Sequence, residues 1–136
     1  MGAWGSGVFE NDTGCDFATT VAEGGGIPAL TQALDRVLSS KDDYLEAPDA
    51  EEALAAAEIV ARLIGNSGKE TAYTASIDSW IKSAQVKASG ELVEKAKLSA
   101  LRVLSELLEL WMDSDDFEGW KRSIEEVLGR LDSSPA

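Results

Sequence analysis

Three carboxylates near the start of the chain, Glu10, Asp12 and Asp16, form the most concentrated acidic group beside an irregular loop. Asp12 and Asp16 are four residues apart, so both side chains would face one side of a helix. Carboxylate oxygens in that arrangement can hold a hard cation such as Mg²⁺ or Ca²⁺. The same residue types also cap helix N-termini and compensate the helix dipole. We favour capping over a metal site, and we predict neither a bound metal nor a cofactor.

Histidine is absent from the chain, and its absence excludes several kinds of active site. A Ser-His-Asp triad, a Cys-His dyad and a His-ligated zinc ion cannot be built. The single cysteine, Cys15, lies between Asp12 and Asp16 in sequence, and nearby negative charges disfavour a thiolate. We interpret Cys15 as a small buried residue rather than a nucleophile. The composition therefore favours a protein that is not an enzyme.

The formal net charge of −13 limits the possible partners. A phosphate backbone is repelled by such a field, which makes nucleic acid a poor ligand, whereas a basic protein is attracted. The longest apolar run is too short and too charged to cross a membrane. A lone cysteine without a preceding secretory signal indicates a reducing compartment, so we expect a cytoplasmic protein. An acidic surface that only maintains solubility is the simpler explanation of the charge.

Residues 1–12, MGAWGSGVFEND, are rich in glycine and contain aromatic side chains. Their glycine spacing matches neither a phosphate-binding loop nor a dinucleotide-binding fingerprint. We predict an irregular arm whose aromatic side chains pack against a helical core. The candidate binding residues in this arm and at the start of the first helix are Trp4, Phe9, Glu10, Asn11, Asp12 and Asp16.

The segment from Ala47 to Gly65, APDAEEALAAAEIVARLIG, is predicted to be a central, buried helix. From residue 53 to residue 64 it is apolar on almost every side, which is typical of a helix surrounded by others. Only Glu58 and Arg62 interrupt this run, and their spacing of four places them on one stripe. Asp49 with Glu52 predicts an N-terminal capping box, and Gly65 a left-handed C-terminal cap.

Helical spacing of apolar residues continues along the rest of the chain, and no alternation of period two is present. The fold class is therefore predicted to be all-α, a compact bundle or orthogonal array of about six helices following the irregular arm. We expect one domain, 1–136, with a frayed tail at 132–136. The other helices are predicted from about residue 12 to Glu23, from Pro28 to Leu38, from Thr74 to Lys87, from Glu91 to Met112 and from Ser114 to Leu131.

The pattern W-G-x-G-x-F-x-N-D at residues 4–12, followed by Asp16-Phe17, resembles a family of small bacterial proteins, domain of unknown function 4259. The residues Y-L-E-A-P at 44–48 and the C-terminal segment with Trp111 and Trp120 extend the resemblance over nearly the whole chain. Phe17 stands where the family often has tryptophan, which preserves an aromatic anchor. Cys15 replaces a small residue, a further argument against a nucleophile. The resemblance implies no established activity, substrate or catalytic residue.

Two functional hypotheses follow, and a third is left open. The first is a non-enzymatic protein-binding module of the bacterial cytoplasm, similar to an immunity protein, that binds a basic partner by electrostatic attraction. The second is a metal-dependent enzyme or metal-binding module that uses Glu10, Asp12 and Asp16. The third is a structural or regulatory subunit. The sequence does not determine the oligomeric state.

Overall fold

In the computed structural model of the chain, the described residues are 12–40, 47–65, 75–84, 88–110 and 117–132. Regular structure within these ranges is helical throughout, as the sequence predicts, and no strand occurs among them. None of these helices combines the length and the apolar character needed to cross a membrane. The helices are α1 (Asp12–Thr20), α2 (Gly26–Ser40), α3 (Ala47–Leu63), α4 (Ala75–Ala84), α5 (Gly90–Leu110) and α6 (Phe117–Asp132).

A five-residue turn, Val21–Gly25, joins α1 directly to α2, and Gly24 within it has a non-helical backbone conformation. The kink in this turn depends on glycine, because Gly24 has a φ of +134° and Gly26 a φ of +55°. The sequence predicts that the glycines separate two helices. The non-helical conformations of Gly24 and Gly26 confirm that the glycines separate α1 from α2. Because the turn links the two helices directly, the described residues form five continuous runs, and the predicted count of about six helices is not confirmed.

Helix α3 lies at the centre of the described core, as predicted. It packs against α1, α2, α4, α5 and α6, and every residue from Ala53 to Arg62 is buried. Leu54 is 2% exposed and Val60 is fully buried, while Leu63 at the end of the helix is partly buried. The small alanine side chains of α3 allow the surrounding helices to approach closely.

The two ends of α3 differ in how well the sequence predicts them. The helix begins at Ala47, so Asp49 lies inside the first turn and the predicted capping box is wrong. The helix thus begins at the first residue of the predicted segment, and Pro48 lies in its first turn, where proline is well suited. At the other end, Gly65 has a φ of +92° and donates its backbone N–H to the carbonyl of Arg62, which confirms the predicted cap.

The surrounding helices turn their predicted apolar stripes toward α3. Ser89 caps the start of α5, because the backbone N–H of Leu92 donates to Ser89 Oγ over 3.1 Å. Ser99 is fully buried, and its hydroxyl donates to the carbonyl of Leu34 on α2. The buried residues of α2, α5 and α6 are Leu30, Ala33, Leu34, Val37, Leu92, Ala96, Ala100, Val103, Ile124, Val127 and Leu131, together with Ser99.

Some predictions concern residues outside the described ranges. The irregular arm predicted at residues 1–12, except Asp12, and the frayed tail predicted at residues 132–136, except Asp132, belong to this group. The prediction of a single domain therefore stays a prediction.

Candidate functional site

A groove of about 430 Å³ lies between α1 and α2, with one residue of α3 contributing to it. We call it the α1–α2 groove. Its volume falls in the range of about 300–1,000 Å³ that is usual for ligand pockets. Its lining residues are Thr13, Asp16, Phe17, Thr20, Ala29, Gln32, Ala33, Arg36 and Glu52.

Each of the two helices contributes a stripe of four residues to the walls. The stripe of α1 runs from Thr13 to Thr20 and that of α2 from Ala29 to Arg36, and each follows the spacing i, i+3, i+4, i+7. Residues with this spacing lie on one face of a helix, so the two faces border the same space. Phe17 and Ala33 are 8% and 1% exposed and form the apolar floor. The rim is polar.

The glycine turn determines the geometry at one end of the groove. A Cβ atom added to Gly25 would lie 2.9 Å from the carbonyl oxygen of Thr20 and 3.0 Å from Cβ of Ala29. Both of these residues line the groove. Glycine at position 25 is therefore needed for α1 and α2 to meet this closely.

Charged side chains occupy the rim near Arg36. Nη1 of Arg36 donates to Oε1 of Glu52 over 2.5 Å and lies 3.9 Å from Oδ1 of Asp49. The side chains of Arg36 and Glu52 are 48% and 31% exposed. Asp16 on α1 is exposed, and no cation among the described residues pairs with its carboxylate. The rim thus combines an exposed carboxylate with a second one that already holds a guanidinium.

A second group of charged residues is buried where α3, α4 and α6 meet. Glu58 accepts a hydrogen bond from Nε of Arg62 over 2.8 Å and another from Nη1 of Arg130 over 2.9 Å, and Nη2 of Arg130 also donates to it. Arg62 donates from Nη1 to both oxygens of Asp78, at 2.8 and 3.0 Å. The side chain of Arg62 is 2% exposed and that of Glu58 6%. We call these four residues the buried charge network.

The buried charge network connects helices and is poorly suited to catalysis. Partial burial by itself lowers the pKa of Arg130, but the hydrogen bonds and charges of Glu58 and Glu126 outweigh that effect and raise it. Arg130 therefore keeps its positive charge at every accessible pH. Both oxygens of Glu58 already accept hydrogen bonds from arginines, which leaves this carboxylate ill placed to act as a base.

Comparison with known proteins identifies the family. The model of a domain of unknown function, DUF4259, matches residues 2–123. The chain belongs to this family. The match ends inside α6, before Arg130, so one member of the buried charge network lies outside the matched segment. No curated protein and no solved structure matches the chain.

Most of the candidate binding residues predicted for this DUF4259 protein fall outside the described part of the chain. Trp4, Phe9, Glu10 and Asn11 precede it, and Asp12 begins α1, although its side chain is not described. Asp16 is the candidate that the structure places, and it lies on the wall of the α1–α2 groove.

The described residues form no metal site, and Cys15 lies at a partly exposed position. Within ranges 12–40, 47–65, 75–84, 88–110 and 117–132, no three acidic or cysteine side chains converge as a metal ion would require. Cys15 is partly exposed, so the interpretation as a buried residue is wrong. Cys15 belongs to the outer part of α1, where the hydroxyl of Thr19 donates to its backbone carbonyl.

Sequence reasoning missed the α2 and α3 sides of the groove. The predicted site residues include neither Arg36 nor Gln32, and Glu52 enters only as part of the predicted capping box. The repeat of small and polar residues at 29, 32, 33 and 36 is visible in the sequence, and it has the same spacing as 13, 16, 17 and 20. That shared spacing is the signal that could have found the groove.

Proposed function

We propose that this protein is a non-enzymatic binding module of the bacterial cytoplasm that binds a basic protein partner, in the manner of an immunity protein. The formal net charge of −13 is the observation that carries the proposal. A field of this sign attracts basic surfaces over long distances and accelerates their association. The absence of histidine and the groove with its exposed carboxylate also support a binding role.

The proposal is tested with purified components. Basic proteins retained by the immobilised chain from its native cells are identified, purified and titrated calorimetrically into the chain. We expect at least one saturable complex whose affinity falls steeply between about 0.01 M and about 1 M ionic strength, where the Debye length shrinks from about 30 Å to about 3 Å. If every retained protein binds without saturation, or none is basic, the proposed function is wrong.

The same instrument tests the alternative of a metal-binding module at Glu10, Asp12 and Asp16. Titration with Mg²⁺, Mn²⁺ and Ca²⁺ should give no heat beyond dilution if these carboxylates only cap α1. A saturable heat that disappears in the Asp16→Asn variant would favour the metal-binding module instead.

A further inference from the structure

We propose that the rim of the α1–α2 groove receives an arginine side chain of the basic partner, and that Arg36 occupies this position in the free protein. This inference rests on the proposed function, because it names the surface and the side chain through which a basic partner is recognised. It concerns Asp16, Glu52 and Arg36, which line the groove together.

The groove already accommodates a guanidinium group. Arg36 reaches Glu52 of α3 over 2.5 Å and approaches Asp49 one turn earlier at 3.9 Å. A planar guanidinium can engage two oxygens at once, which an ammonium group does less well. Both contacts, to Glu52 and to Asp49, are made by Nη1 alone, so the other N–H groups of an incoming guanidinium are available for a second carboxylate.

The internal ion pair can be displaced at small cost. Nearly half of the Arg36 side chain and about a third of the Glu52 side chain are exposed, and ion pairs of this kind change an equilibrium constant by at most about five-fold. Asp16, on the opposite wall, has no competing cation among the described residues. An incoming arginine can thus pair with Asp16 and compete with Arg36 for Glu52.

The apolar part of the groove suits the remainder of an arginine side chain. Phe17 and Ala33 form the floor, and the three methylene groups of arginine pack well on such surfaces while the charged end stays at the rim. An acidic peptide fits less well, since Arg36 already contacts two carboxylates and the net charge of the chain is −13.

The test measures binding of three fluorescent peptides of equal length, in which glycines alternate with arginine, lysine or glutamate. We expect the arginine peptide to bind most tightly. Asp16→Asn should weaken its binding about five-fold, the factor expected for one surface ion pair, and Arg36→Gln should tighten it by a similar factor. Amide resonances of Thr20 and Gln32 should shift during the titration, because both line the groove.

Matched variants separate the groove from the overall field. Glu125→Gln on α6 makes the same charge change as Asp16→Asn, and Lys121→Gln on α6 makes the same change as Arg36→Gln; neither residue lines the groove. Each control should change the affinity less than about two-fold. Circular dichroism and the midpoint of thermal unfolding establish that each variant is folded.

The outcomes distinguish the two proposals. If the arginine peptide binds but the groove variants behave as their α6 controls do, the groove is not the binding surface and the proposed function stands. If Arg36→Gln weakens binding, or the glutamate peptide binds most tightly, Arg36 recognises the ligand directly and the inference is overturned. If neither the basic peptides nor any purified basic protein binds, both proposals fail.

Discussion

Replacing Glu58 by glutamine is expected to destabilise the protein strongly, because it removes the carboxylate shared by two arginines. Glu58 is 5% exposed and receives hydrogen bonds from Arg62 and from both terminal nitrogens of Arg130. Breaking a buried ion pair by removing one partner costs about 3–5 kcal/mol. Arg62 keeps Asp78 and Arg130 keeps Glu126, so we expect about 3 kcal/mol, at the lower end of that range.

The effect is measured by urea unfolding, followed by far-ultraviolet circular dichroism. The free energy of unfolding should fall by about 3 kcal/mol with an unchanged dependence on denaturant, since the same surface is exposed on unfolding. For a domain of this size, each kcal/mol corresponds to about 4 °C, so the midpoint of thermal unfolding should fall by about 12 °C.

Glu126→Gln is the matched control for this prediction. It removes a carboxylate from the same Arg130, but the Glu126 side chain is 55% exposed, and exposed pairs contribute at most about 1 kcal/mol. The reasoning is refuted if Glu58→Gln costs no more than this control. Water would then reach the buried charge network and replace the lost oxygen.

Three further predictions concern helix geometry, the core and pH. Gly129→Ala should stabilise α6 by about 0.5–1 kcal/mol in urea unfolding, because a Cβ atom at this position meets no heavy atom within 4 Å. Gly25→Ala should instead destabilise the protein by about 1–3 kcal/mol, because its Cβ atom would clash with neighbouring atoms. Equal effects of the two substitutions would contradict the geometry of the two glycines. Leu54→Ala should lower the free energy of unfolding by about 2–5 kcal/mol. Leu98 lies on an exposed face, so Leu98→Ala should lower it by less than about 0.5 kcal/mol. Similar values for the two variants would contradict the central position of α3. The hydrogen bond from Lys95 to Asp35 on α2 raises the pKa of Lys95 above 10.5. The loss of stability caused by Lys95→Met should therefore be constant below pH 10.5 and should shrink as the pH rises through the folded-state pKa. A loss that persists unchanged at high pH would count against this prediction.

The burial of the central helix could be predicted because it depends on residues within the helix itself. An apolar run of this length has few alternatives to burial, so the burial of Leu54 and Val60 follows from the sequence between residues 53 and 64. The N-terminal cap of the helix could not be predicted as well. Asp49 and Glu52 fit a capping box, but their carboxylates approach Arg36 instead, a contact that depends on how α2 lies against α3.

The buried charge network also depends on partners that local sequence patterns do not identify, because these partners are far apart in the sequence. The pairing of Glu58 with Arg62 follows from their spacing of four residues on one helix. Asp78 and Arg130 lie 16 and 72 residues from their partners in the network, and no local pattern identifies them. The sequence therefore predicts where the buried charges are placed on α3, but the fold determines which residues neutralise them.

The α1–α2 groove depends on the conformation of a single turn. Three consecutive glycines predict a helix end, and the non-helical backbone of Gly24 confirms it, but the sequence does not predict the kinked turn that places α2 directly after α1. The orientation of α1 relative to α2 is determined by the conformations of Gly24 and Gly26 and by the close contacts at Gly25. This orientation sets the distance between the polar faces of the two helices. A shift at this turn would move Asp16 relative to Arg36, and it would also change the packing of α1 on α3. Substitutions at these glycines are therefore expected to alter the shape of the groove as well as the stability of the protein.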